Sequence, residues 1–76
     1  MNKLRRKSLS DLVYQIECIK LSIELTLEDE EEYRDNIPEN LQGSERYEKA
    51  DIACSSLEDA ISCLEDAINN IQTAIE

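Results

Sequence analysis

Seventy-six residues, with eight basic and eighteen acidic side chains and with one Gly, one Pro and no Trp, Phe or His, make one domain that buries only about 60% of its unfolded surface. A formal charge of −10 argues against nucleic-acid binding through a basic surface, which needs clustered Lys and Arg. Without His, zinc and di-iron sites built on imidazole are excluded, and with so little turn material the chain predicts few elements, each long.

The basic residues are unevenly placed: Lys3, Arg5, Arg6 and Lys7 crowd the start, and nothing after Lys49 is basic. Ser8 reads as an N-cap with Asp11 in the first turn, so a first helix is expected over about 8–35. Its main apolar stripe, Leu9, Leu12, Val13, Ile16, Ile19, Ile23 and Leu27, projects within about 60° either side of Ile16 at 100° per residue. A second set, Tyr14, Cys18, Leu21 and Leu25, falls on nearly the opposite side. A helix that is apolar on two sides is usually sandwiched, and a two-helix chain covers only one of them, so self-association is expected.

The first helix runs into the acidic stretch Glu28 to Glu32, where five carboxylates oppose the macrodipole of a helix C-terminus. Arg46 and Lys49 are the candidate neutralising groups if the chain folds back. A hinge is expected over about 36–43, because Pro38 disfavours helical geometry at Ile37 and Asn36 tolerates a left-handed turn. Asp35, Asn36 and Asn40 are candidates to cap orphan backbone groups there. Pro38 to Gln42 can form a single turn with Pro38 at its first position, placing Ile37 and Leu41 together as a plug, and Gly43 supplies the break.

Ser44 is the expected N-cap of a second helix over about 44–75, with Glu45 and Glu48 in its favoured first turn. Its apolar positions, Tyr47, Ala50, Cys54, Leu57, Ile61, Leu64, Ile68, Ile71 and Ile75, alternate spacings of three and four, the mark of a helix packed along its length. Beside this stripe runs a column of alanines, Ala53, Ala60, Ala67 and Ala74, one per heptad. Helix propensity alone does not require that register, and small residues on a flank let a neighbouring helix approach closely. The outer face repeats Glu58-Asp59 and Glu65-Asp66.

The predicted fold is therefore all-α: an antiparallel two-helix hairpin with heptad packing that associates as a homodimer into a four-helix bundle. The second face of the first helix (Tyr14, Cys18, Leu21, Leu25) and the alanine column are the expected association surface. A tetramer or an assembly with another protein are the competitors. In a hairpin the basic head lies near Glu65, Asp66 and Glu76, of the same chain or of a partner, which accounts for the charge asymmetry.

Cys18, Cys54 and Cys63 are odd in number and at unconnected spacings, so they form neither a disulfide framework nor a Cys-x-x-Cys zinc motif. Buried free thiols in a reducing cytoplasm are the expected reading, except that Cys63 lies off both seams. No apolar run is long enough to span a bilayer, and the amphipathic segment after the basic start does not read as a signal peptide. A cytoplasmic protein with no membrane association is expected.

Chemistry is poorly supported by these residues. Glu28 to Glu39 spans the twelve positions of an EF-hand loop but lacks its sixth-position Gly. The groups Glu31-Glu32-x-x-Asp35 and Glu48-x-x-Asp51 resemble the carboxylate pattern of magnesium-dependent, all-helical nucleotide pyrophosphohydrolases, but acids are frequent enough for chance matches. Only Arg34, Arg46 and Lys49 are available to hold a triphosphate. No catalytic, cofactor-binding or metal residues are therefore assigned.

The hinge sequence Tyr33-Arg-Asp-Asn-Ile-Pro-Glu-Asn-Leu-Gln-Gly-Ser-Glu-Arg-Tyr-Glu resembles a segment of small, acidic, helical proteins encoded in phages and prophages. The likeness covers the turn Asp35 to Ser44, the Ser44-Glu-Arg-Tyr-Glu helix start and, loosely, the Leu-Glu-Asp-Ala-Ile repeats. It implies a phage or mobile-element origin and carries no activity or site. Two roles follow: a non-enzymatic, self-associating helical adaptor with a protein partner, or an acidic DNA mimic that inhibits a nucleic-acid-binding host protein through Glu58, Asp59, Glu65 and Asp66.

Overall fold

The computed structural model describes residues 1–76 as two long helices joined by a short hinge, with no strands. Helix α1 spans Lys3–Asp35, a single 3-10 turn spans Glu39–Leu41, and helix α2 spans Glu45–Ile75. The helices pack side by side in a rod of 59 × 15 × 13 Å.

Helix α1 starts five residues earlier than Ser8, because Asn2 provides the cap: its side chain accepts a hydrogen bond from the Arg5 amide at 2.8 Å. An Asn in extended backbone satisfies an orphan amide as well as Ser does, and the Lys and Arg residues that follow are good helix formers. Ser8 consequently lies inside the helix. At the other end of the chain Ser44 caps α2, accepting from the Tyr47 amide.

The hinge closes without any left-handed residue. Asn36 ends α1 in right-handed geometry, its amide donating to the Glu32 carbonyl at 3.0 Å and the Ile37 amide to the Arg34 carbonyl at 3.2 Å, and Gly43 does not have a positive φ. Pro38 stands just before the 3-10 turn in extended backbone rather than as its first residue. The Asp35 carboxylate receives Arg34 Nε at 3.0 Å and caps no backbone group. Ile37 is buried as the plug at the hinge end, whereas Leu41 is largely exposed and does not join it.

The seam between the helices is narrow. Only Val13, Ile37, Ala50, Cys54 and Ile68 are buried, and Cys54 is the tightest at 1% exposure. Leu9, Ile16, Ile23 and Leu27 of α1 meet Leu57, Ile61, Leu64, Ile71 and Ile75 of α2 at intermediate burial. Leu12 and Ile19, expected in this seam, remain 47% and 54% exposed. Next to Ile19, Lys20 turns toward α2, and its ammonium pairs with Glu65 of α2 at 3.5 Å and with Glu24 at 3.8 Å.

Two cross-helix ion pairs define the register. Lys20 to Glu65 and Arg34 to Asp51 are pairs whose residue numbers add to 85, so Glu76 falls level with Leu9. The basic head therefore projects past the end of α2 instead of lying beside Glu65 and Asp66. Lys7 pairs within α1 with Asp11 at 2.8 Å, and Lys3, Arg5 and Arg6 make no ion pair.

Candidate functional site

The chemistry of the surface begins at the hinge end, where the acidic stretch of α1 meets the start of α2. Arg34, at the last turn of α1, reaches Asp35 at 3.0 Å and Asp51 of α2 at 3.1 Å. Hydrogen bonding to Asp35 above all, with the nearby charges and the Asp51 bond adding to it, raises the guanidinium pKa still further, so Arg34 is a permanent cation. Of the two groups expected to neutralise the acids, Arg46 instead donates Nε–H to the Tyr33 hydroxyl at 2.7 Å and stacks 5.1 Å from its ring centre, and Lys49 pairs with Glu45 of its own helix. These residues line a shallow, open cleft with Glu30 and Ala50.

Asp35 and Asp51, one from each of the two carboxylate groups, are thus both held by a single arginine. No three acidic or thiol side chains anywhere in the chain gather in a geometry that can hold a metal ion. Cys54 lies buried against this end, and burial pushes its thiol pKa up, with Arg34 opposing. A neutral, buried thiol is a weak nucleophile. Cys18 and Cys63 are free and exposed in the single chain.

Two apolar surfaces remain. Tyr14, Leu21 and Leu25 are largely exposed; Cys18, Leu21 and Leu25 project on the side of α1 turned away from α2, and Tyr14 lies at its edge, in a shallow groove with Gln72 and Ile75 of α2. The alanine column lies instead on a flank of α2, with Ala53, Ala60 and Ala67 half-buried and Ala74 exposed. The hairpin therefore does not bring the two halves of the expected association face onto one surface. Level with the alanines, however, it places the exposed side chains of Leu12 and Ile19. Their spacing from the seam is the signal that marks them: each sits about 60–80° from the buried centre of α1 at 100° per residue.

The acidic positions Glu58, Asp59, Glu65 and Asp66 are all exposed on α2. Glu65 is tied to Lys20, while the other three make no ion pair. No helix is long and apolar enough to cross a membrane. No protein-family model matches this sequence, and no curated protein or solved structure is detectably similar to it.

Proposed function

We propose that this chain is a non-enzymatic, self-associating helical interaction protein of phage or mobile-element origin, which works as a homodimer and offers a surface to a protein partner. One observation carries the reading. A folded monomer of 8.7 kDa exposes roughly 4,700 Å² by the usual scaling of surface with mass, and this hairpin exposes 5648 Å². The excess of roughly 900 Å² per chain is close to the ~800 Å² that each partner contributes to a stable interface. Leu12, Tyr14, Ile19, Leu21, Leu25 and Ile52 supply exposed apolar side chains, and a seam with five buried residues is a small core for 76 residues. Sedimentation equilibrium of the full chain tests the reading, and a monomer throughout the micromolar range removes it.

The unpaired carboxylates of Glu58, Asp59 and Asp66 favour a second reading, in which their ordered negative field occupies the basic groove of a nucleic-acid-binding protein. Such a mimic binds with steep salt dependence and loses affinity when Glu58, Asp59, Glu65 and Asp66 are neutralised together. An adaptor that docks through apolar side chains is insensitive to that change and fails when Leu21 or Leu25 is made charged.

A further inference from the structure

The two sides of the hairpin differ in character, and cross-helix contacts identify them. On one side lie Lys20 and Glu65, in a shallow groove with Glu17, Asn69 and Gln72. On the other, Arg46 stacks on Tyr33. Tyr33 ends a heptad column on α1, Leu12, Ile19, Thr26 and Tyr33, and Arg46 begins one on α2, Arg46, Ala53, Ala60, Ala67 and Ala74. Both columns step about 10.5 Å along the axis at 1.5 Å per residue, so the contact at one end holds them side by side along the same face. Between them run the half-buried Ile16, Ile23, Leu57 and Leu64.

The register then sorts these columns into layers. Leu12 with Ala74, Ile19 with Ala67, Thr26 with Ala60 and Tyr33 with Ala53 are pairs whose numbers add to 86, against 85 for the ion-paired residues. Each pair is level to within one helical turn, roughly 5.4 Å. Every layer of this face thus carries a larger side chain on α1 and an alanine on α2.

Resting on the self-association reading above, we infer that a second copy of this chain covers this face, related by a two-fold axis parallel to the rod. That operation keeps every layer at its height and exchanges left for right, so the Leu12, Ile19, Thr26 and Tyr33 of each copy fall on the alanines of the other. A closed two-fold contact requires such self-complementarity. All four helices then have antiparallel neighbours, as in an up-down bundle, and the excess surface of roughly 900 Å² per chain matches the interface needed. The Tyr14, Leu21 and Leu25 side stays outside the bundle.

Sedimentation equilibrium on the full chain, with helicity followed by circular dichroism, tests the assignment. Leu12→Lys with Ile19→Lys is expected to give a folded monomer, and Leu21→Lys with Leu25→Lys to leave the dimer intact. Ala67→Ile alone overpacks two symmetric sites and is expected to weaken the dimer at least about tenfold, while adding Ile19→Ala restores it to within about threefold by exchanging large for small in one layer. If the lysine pair disturbs helicity, the exchange pair decides. A wild-type monomer overturns both this inference and the reading beneath it. A wild-type dimer that survives Leu12→Lys with Ile19→Lys, or that Ala67→Ile leaves unchanged, overturns this face and leaves self-association standing.

Discussion

Cys54 occupies the most enclosed position in the hairpin, and its chemistry follows from that burial. Thiol reagents at neutral pH should modify Cys18 and Cys63 in the native protein and reach Cys54 only after unfolding, a two-to-one pattern readable by mass spectrometry. Burial raises the Cys54 pKa above its ordinary value of 9.0. The proton is therefore held more tightly in the folded state, so the stability it contributes is complete below the unfolded value and is lost as pH rises through the folded one. The stability advantage of the wild type over Cys54→Ala should accordingly shrink as pH rises above the ordinary thiol value of 9.0, as followed by urea unfolding. Gly43 gives a second test. It has neither a positive φ nor any atom within 4 Å of where a Cβ would stand, so Gly43→Ala should stabilise the fold by about 0.4–1 kcal/mol by restricting the unfolded chain. An intact hinge that loses stability would show that its backbone needs glycine. Composition identifies Gly43 as a break in the chain, but the backbone angle it adopts is set by how the 3-10 turn hands over to Ser44, which no local pattern specifies.

At the scale of the helix, the two serines once equivalent as caps now have opposite expectations. Ser44→Ala removes the acceptor for the Tyr47 amide and should cost about 0.5–2 kcal/mol. Ser8→Ala lies inside α1 and should be neutral or stabilising by up to about 0.5 kcal/mol. Denaturant unfolding of the two variants, measured side by side, checks the sign of each. Ile37, buried at 3% exposure, should cost about 2–4 kcal/mol when truncated to Ala. The heptads of α2 are legible because Cys54, Leu57, Ile61, Leu64 and Ile68 repeat without a break. The start of α1 is not, since Asn2 and Ser8 both have capping chemistry and the choice between them turns on whether Lys3 to Lys7 are helical without a packing partner. The basic head is separated from Glu65 and Asp66 by the axial stagger of the two helices, which puts Glu65 beside Lys20 and which charge patterning does not record.

At the scale of the molecule, the antiparallel hairpin was readable from one Pro, one Gly and two runs of apolar periodicity. What periodicity could not settle is rotation of each helix about its axis. A heptad stripe that includes Leu12 and Ile19 is wide enough to face either of two directions, and the structure spends its inner part on the seam and leaves these two residues outside it. Lys20 marks the rotation: its ammonium reaches Glu65 on the polar side, and Leu12 and Ile19 lie toward the alanine flank. The partly exposed pair itself is worth only about 0–1 kcal/mol, so it reports the rotation and does not set it. With a formal charge of −10 per chain, association of two copies also meets charge repulsion, which salt screens, and the dimer should tighten as ionic strength rises. A rod of 59 × 15 × 13 Å elutes anomalously in gel filtration, so the deciding measurement is sedimentation equilibrium, which is independent of shape. A dimer, with a mass of about twice 8.7 kDa, is expected at micromolar concentration and moderate salt; a mass of 8.7 kDa that persists as concentration and salt are raised rules it out.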